Sequence, residues 1–403
     1  MIERTTASHA HLRRDAQDFS IVLGGPLFQL LLRAHVTGDA LTLVVRRVIL
    51  FVLISWAPLL ALSAFGGHLL DGNVALPFLL DLETHIRFLV VVPLLLAAEL
   101  VVHRRLRPVA RSFLERNLIS EAQQPRFDAA ITSAFRLRNS ALAEVLMLAL
   151  VYGVGVFVVW RRYTALDVTT WYGQSAAGGF RLHSAGIWYA YVSLPLFQFL
   201  LLRWYFRIFI WIRFLWQVAR LELRLVPTHP DLVGGLGFLG NTVFAFSVLL
   251  MAHGAMLAAQ IANRIFFAGA ALLDFREEIF LMLVFLLCLV FAPLLVFSPQ
   301  LSWAKRQGLL EYGTLAERYV REFDGKWLRG DGKTGEPLMG SADIQSLADM
   351  GNSFAVVRTM RLAPISRSAV LELSAAVLVP LVPLLLTVMP LEQLVKRLLG
   401  LVL

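Results

Sequence analysis

Residues 279–297 read IFLMLVFLLCLVFAPLLVF, an apolar run without a charged side chain. A helix of this length spans about 28 Å, close to the thickness of the hydrocarbon core of a bilayer. Six other apolar runs have comparable lengths: Val48–Phe65, Ile86–Val102, Ala141–Trp160, Ile187–Leu202, Leu236–Ala262 and Val370–Val388. With 58% hydrophobic and 16% charged residues, the 403-residue chain lacks the composition of a soluble protein. The sequence therefore predicts an all-α, polytopic bundle of about seven transmembrane helices.

The distribution of basic residues predicts how the chain is threaded. Segments 1–47, 103–140, 203–235 and 298–369 hold 29 of the 37 Lys and Arg residues. Because basic loops stay on the cytoplasmic side, we expect these four segments and the N-terminus to be cytoplasmic. Contact with anionic lipids then explains the formal net charge of +9, and nucleic-acid binding is not expected.

Several predicted helices are longer than the bilayer requires. Helical spacing continues from Pro125 into the third span as one helix of about 36 residues. We expect the fourth helix to run from Ile187 to about Leu225. Ser298 followed by Pro299 has the pattern of a helix start, so we expect the sixth span to end there and a new helix to begin. Together with a stretch from Ser341, these pieces predict long helices that project into a cytoplasmic helical layer.

The predicted organisation has four parts. The first is a cytoplasmic N-terminal segment, 1–47, with an interfacial helix at Pro26–Ala34. The second is a transmembrane core of six spans, 48–297, with cytoplasmic helical extensions 103–140 and 203–235. A cytoplasmic helical segment, 298–369, follows, and the final unit, 370–403, holds the seventh span and an amphipathic helix at Leu391–Leu403.

The most distinctive loop, residues 227–238, reads PTHPDLVGGLGF and leads into the fifth span. Its prolines stiffen the backbone, and its glycines permit tight turns. It is interpreted either as a rigid turn in which Asp231 caps the next helix or as an anion-binding or gating element. The gating candidates are Thr228, His229, Asp231, Gly234, Gly235 and Gly237.

This loop, together with residues 341–349 (SADIQSLAD), resembles uncharacterised bacterial inner-membrane proteins. The resemblance covers most of the chain. It implies the bacterial inner membrane as the location, and it implies no activity.

Charged residues inside apolar spans are costly and often functional. Glu99 and Glu144 lie about one turn inside their spans, and Arg203 and Arg207 are expected at the same level. These four residues predict either an intramembrane ion-pair network that joins the second, third and fourth spans or a cation or proton site.

The fifth span carries two unusual faces. Gly254, Ala258 and Ala262 form a ridge of small residues that permits close helix packing. His253, Gln260 and Arg264 share another face. That polar face is expected either to form hydrogen bonds within the bundle or to line a permeation path. The candidates for the path are His253, Gly254, Ala258, Gln260 and Arg264.

Catalytic and metal-binding motifs such as H-E-x-x-H, G-x-S-x-G and paired cysteines are absent from the sequence, and Cys288 is its single cysteine. We therefore expect no cofactor. The favoured function is a channel or transporter for ions or small solutes, formed by a homo-oligomer. The alternatives are a scaffold or sensor that recruits a cytoplasmic protein partner and, third, a lipid-phosphate enzyme that uses His229 and Asp231.

Overall fold

The computed structural model describes residues 19–33, 44–70, 74–159, 170–176, 179–329 and 341–388. About 80% of them are helical, which confirms the predicted all-α fold class. The helices are α1 (Pro26–Arg33), α2 (Val44–Phe65), α3 (Leu82–Glu115), α4 (Gln124–Arg138), α5 (Ala141–Leu150, continued by a π-helical stretch Val151–Val159), α6 (Ser184–Val218), α7 (Gly237–Ala268), α8 (Leu272–Leu328), α9 (Ala342–Thr359) and α10 (Arg367–Thr387).

Six of these helices, α2, α3, α6, α7, α8 and α10, are long and apolar enough to cross a membrane. The bent pair α4–α5 makes a seventh if it is counted as one span. Each predicted span overlaps one of these helices, so the expected membrane-spanning bundle is confirmed. The predicted helix at Leu391–Leu403 and most of the segment 1–47 lie outside the described residues.

The prediction of one continuous helix from Pro125 through the third span is wrong. The chain bends by 46° between α4 and α5. Ser140 adopts an extended backbone, and its hydroxyl accepts a hydrogen bond from the Ala143 N–H. The Asn139 side chain accepts another from the Gly25 N–H at 3.1 Å. A capping serine therefore interrupts a stretch whose apolar spacing alone favoured continuity.

The predicted end of the fourth helix is also wrong. At Ser298 an α-helical segment does begin, as predicted, but Ser298 does not cap it and the long helix is not interrupted there. α6 ends at Val218, and the Gln300 amide donates to the carbonyls of Ala219 and Leu221 at 2.7 and 2.6 Å, which satisfies acceptors that the helix leaves free. α8 continues through Ser298, whose backbone is helical. Pro299 stands in the first turn of the helical segment that follows a 3-10 stretch, where a missing N–H costs no hydrogen bond.

The two ends of the bundle differ. One end carries the loop 219–236 and is here called the loop end. The other carries a small antiparallel hairpin of β1 (Gly173–Ala176) and β2 (Gly179–Leu182) and is called the hairpin end. Beyond the loop end, α9 packs on the second half of α8: Tyr319 and Trp327 of α8 donate hydrogen bonds to Asp343 at 3.0 Å each. This pair consists of two of the pieces predicted for the helical layer, the extension of the sixth span and the stretch from Ser341.

The largest apolar core lies between α3, α6 and α7 and extends from the hairpin end to the loop end. Trp204, Trp211 and Phe214 of α6 are almost completely buried there. The ring of Phe19, which precedes α1, lies 4.6 Å from that of Phe214. The segment before α1 therefore belongs to the packed core and is held against the spans.

Candidate functional site: a buried charged cluster and the adjoining loop

The charged cluster is centred on Glu99 of α3, whose side chain is almost completely buried inside the bundle. One carboxylate oxygen accepts a hydrogen bond from Arg207 of α6 at 2.7 Å, and the other accepts one from Arg47 of α2. Both arginines are also buried. Since an unpaired charge is expensive in the membrane, this triad ties α2, α3 and α6 together.

A second carboxylate lies beside the triad. Glu144, in the first turn of α5, is 3.8 Å from the guanidinium of Arg203 on α6. Its other oxygen accepts a hydrogen bond from the Leu27 N–H of α1 at 2.9 Å. Arg203 also donates to the Gly24 carbonyl at 3.3 Å. The structure therefore brings the four charged residues predicted from the sequence into ion pairs and connects them to α1.

Two arginines of this region were missed by the sequence reasoning. Arg47 was counted as a loop residue because it precedes the first apolar run, yet its side chain enters the bundle. Arg138, at the end of α4, donates to the Ser20 carbonyl at 2.6 Å and lies 4.5 Å above the Phe135 ring. The sequence does contain one indication of them: near the expected membrane boundary, arginines outnumber aspartates and glutamates.

A shallow cleft, open to the surface, lies beside the cluster. Four charged side chains contribute to its wall: Arg138, Glu144, Arg203 and Arg207. The rest of the wall consists of Ile21, Gly24, Met147, Phe206 and Ile210. Polar and apolar surfaces therefore meet in one place, at the level where α5 begins.

His253, Gln260 and Arg264, which were predicted to share a polar face of α7, do not form one continuous polar surface in the structure. The His253 ring is buried, with Nδ1 2.8 Å from the Leu249 carbonyl and Nε2 2.9 Å from the Tyr205 hydroxyl. Because a carbonyl only accepts, Nδ1 carries the hydrogen, and a neutral ring accepts from Tyr205 at Nε2. Gln260 is exposed, and Arg264 lies 3.5 Å from Glu278 of α8 near the hairpin end.

The ridge of small residues on α7 packs against α10. Gly254 lies so close to the Val377 carbonyl that an added Cβ atom would clash with it. One turn further, Ala258 belongs to a buried apolar cluster with Leu381 and Leu384 of α10. The ridge therefore permits the close approach of two spans, as small residues do in membranes.

The loop 227–238 is organised by Asp231. One carboxylate oxygen accepts from the N–H groups of Val233 and Gly235 at 2.9 and 3.1 Å, and the other from Gly237, the first residue of α7, at 2.8 Å. His229 Nδ1 lies 2.9 Å from the same carboxylate. Both oxygens are therefore occupied, which favours the interpretation as a rigid capping turn over acid–base catalysis.

Positive φ angles make the loop's glycines necessary. Gly234 and Gly235 have φ of 65° and 99°, and Leu232 also has a positive φ, 60°. The strained Leu232 is held in place because its carbonyl accepts from the Arg361 N–H at 2.7 Å. Thr228 lies 3.5 Å from the hydroxyl of Tyr312 on α8. The loop therefore connects α6 and α7 to the helical layer.

We expect Asp231→Asn to lower the free energy of unfolding by about 1–2 kcal/mol, because a neutral amide cannot accept from three N–H groups as strongly. Asp274→Asn is the matched control, because Asp274 accepts one exposed N–H, from Ala271. Chemical denaturation in mild detergent measures both variants. An equal, small effect of the two substitutions would contradict the central role of Asp231.

The same contact has a pH dependence. Burial raises the pKa of Asp231, but the N–H groups of Val233, Gly237 and Gly235 and the nearby His229 outweigh it and hold the pKa below the usual 3.8. A carboxyl group whose pKa is lowered in the folded protein stabilises that state at pH values above the pKa of the unfolded chain. This contribution is lost as the pH falls through the lowered pKa. The difference in stability between wild type and Asp231→Asn should therefore shrink below pH 3.8.

Comparison of the chain with protein-family models, with curated proteins and with solved structures finds no match.

Proposed function

We propose that this membrane protein is a channel or transporter for ions or small solutes and that it works as a homo-oligomer in a bacterial inner membrane, with its loop end in the cytoplasm. The observation that carries the proposal is the placement of Glu99, Arg47 and Arg207 inside membrane-spanning helices. Ionisable groups at such positions are costly, and they commonly mark ion or solute pathways.

A second polar layer near the hairpin end supports this proposal. Asp81, just before α3, is almost completely buried and accepts from Asn263 of α7 and from Trp171 at 2.8 and 3.0 Å. Within α3, Arg87 bonds to Glu83 and to Tyr189 of α6. Polar groups therefore lie inside the bundle at two levels, near the hairpin end and about halfway along α3.

An apolar layer separates these two polar layers. Arg87 and Glu99 lie about 18 Å apart along α3, and between them Val91, Leu95 and Leu96 are buried in the core. Since a charged solute cannot cross such a layer at low cost, transport requires that the helices move apart. We therefore favour a gated channel or a transporter over a permanently open pore.

Flux measurements test the proposal. Purified protein in liposomes should pass ions or small solutes faster than empty liposomes. Tyr205→Phe and His253→Leu should change that flux, because each removes one partner of the polar pair between α6 and α7. Gln260→Leu is the control, since Gln260 is exposed on the same helix. If no flux is found, the proposed transport function is wrong. If flux is found and the three variants behave alike, the path does not pass His253.

A scaffold or sensor is the second candidate function, and apolar side chains on the helical layer favour it. Trp303, Leu310 and Leu328 of α8 are between 63% and 73% exposed, and their spacing places them on one face. A photo-crosslinking amino acid at Leu310 distinguishes the two candidates in native membranes. A crosslink to a second copy supports the homo-oligomer, whereas a crosslink to a different protein supports the scaffold.

A further inference from the structure

We propose that the cleft beside the charged cluster binds a phosphate group and that Arg138, Arg203 and Arg207 hold it. The source is either the headgroup of an anionic phospholipid or free phosphate, which share this chemistry. The inference does not depend on the proposed transport function, because a bound phosphate is compatible with any role of the bundle.

The balance of charges is the first argument. Four buried or half-buried guanidinium groups, those of Arg47, Arg138, Arg203 and Arg207, meet two carboxylates, those of Glu99 and Glu144. Glu99 is shared between two arginines, and Glu144 lies 3.8 Å from a third. Because excess positive charge is costly away from water, the cluster is incomplete without a further anion.

Unused hydrogen-bond donors are the second argument. A guanidinium carries about five N–H donors in a planar fork. Among the described residues, Arg207 donates one hydrogen bond, to Glu99, and Arg203 donates one, to the Gly24 carbonyl, so both have N–H groups left for a further acceptor. A phosphate group supplies oxygens that guanidinium forks bind in pairs, and this suits arginine better than a single halide ion does.

The position of the cleft is the third argument. It lies at the start of α5, where the chain passes from the polar helix α4 into a membrane span. On α5, Leu142, Val145 and Leu146 are between 59% and 69% exposed and form a lipid-facing surface next to Glu144. Acyl chains can lie on this surface while the phosphate of the same lipid reaches the arginines.

Binding assays on the delipidated, full-length protein test the inference. One titration uses inorganic phosphate, and a second uses nanodiscs of phosphatidylcholine with increasing phosphatidylglycerol; thermal stability reports binding in both. Arg138→Gln removes a cleft arginine that has no carboxylate partner in the described structure, and it should weaken binding about tenfold or more. Arg111→Gln is the control, because Arg111 is exposed and pairs with Glu115 on α3.

Glu144→Gln keeps the proposal testable if Arg138→Gln does not fold. Glutamine can still accept from the Leu27 N–H, but it removes a negative charge from the cleft wall. We expect this variant to bind phosphate or phosphatidylglycerol about threefold to tenfold more tightly, because repulsion of the anion is lost. If Glu144 had only a structural role, the substitution would lower stability without raising affinity.

The two titrations identify the source of the phosphate. Stabilisation by phosphatidylglycerol alone assigns the cleft to a lipid headgroup, and stabilisation by inorganic phosphate as well assigns it to a free anion. The proposal is overturned if neither ligand stabilises the wild type. It is also overturned if Glu144→Gln fails to raise the affinity while Arg138→Gln and Arg111→Gln bind like the wild type.

Discussion

Glu99→Gln is expected to destabilise the protein by about 3–5 kcal/mol, the largest effect of any single side chain in the cluster. The substitution is nearly isosteric, so the loss comes from charge. Arg47 and Arg207, which share this carboxylate, would remain buried with no counter-charge between them. Denaturation of the purified variant in mild detergent measures the change in unfolding free energy.

The matched control is Glu115→Gln. Glu115 also pairs with an arginine, Arg111, but both side chains are more than half exposed. An exposed pair contributes about 0–1 kcal/mol, so this variant should be close to wild type. Comparable losses in the two variants would show that burial does not determine the strength of the Glu99 triad.

A triple variant separates stability from charge. Replacing the triad by Arg47→Met, Glu99→Leu and Arg207→Met removes every charge at once and should recover most of the lost stability. If the triple variant is as stable as the wild type, the charges of the triad are not needed for stability. Flux and phosphate binding, measured on the folded triple variant, then show which function the charges serve.

The membrane-spanning architecture was predictable because bilayer thickness sets the length of an apolar run. Ile279–Phe297 lies within α8 for this reason. Helix ends were less predictable, because capping depends on single side chains. Ser140 begins α5 through its hydroxyl, and Gln300 reaches the end of α6 from a different helix. The first of these signals is local and visible in the sequence, whereas the second exists only after folding.

The charged cluster was predictable in part. Glu99 and Glu144 are conspicuous because they interrupt apolar runs, and α-helical rise places Arg203 at a similar depth. The pairing of carboxylates with arginines depends on which helices are adjacent in the bundle. The periodicity of the sequence does not show which helices those are. Arg47 illustrates the limit, since a residue at the edge of a span can turn its side chain inward or outward.

The face of α7 shows the same limit more sharply. Helical spacing groups His253, Gln260 and Arg264 on one side of the helix, but a helix of this length passes several different neighbours. His253 meets Tyr205 of α6, whereas Arg264 lies near the hairpin end, where it meets Glu278 of α8. A shared face therefore need not be a shared environment, and the permeation path remains a proposal.

Gly254→Ala is expected to lower the unfolding free energy by about 1–3 kcal/mol, and Gly254→Leu by more, because both force α7 away from α10. The added Cβ would meet the backbone carbonyl of Val377, which cannot turn aside as a side chain can. Gly153→Ala on α5 is the matched control, since an added Cβ there meets no atom of the described residues within 4 Å.

The control should be neutral or slightly stabilising, because alanine favours helix more than glycine does. Unfolding in detergent and flux in liposomes should be measured on the same preparations of these variants. If α10 moves relative to α7 during transport, Gly254→Ala will change flux by more than its loss of stability accounts for. Wild-type stability of Gly254→Ala would show that the two helices do not pack as closely as the structure indicates.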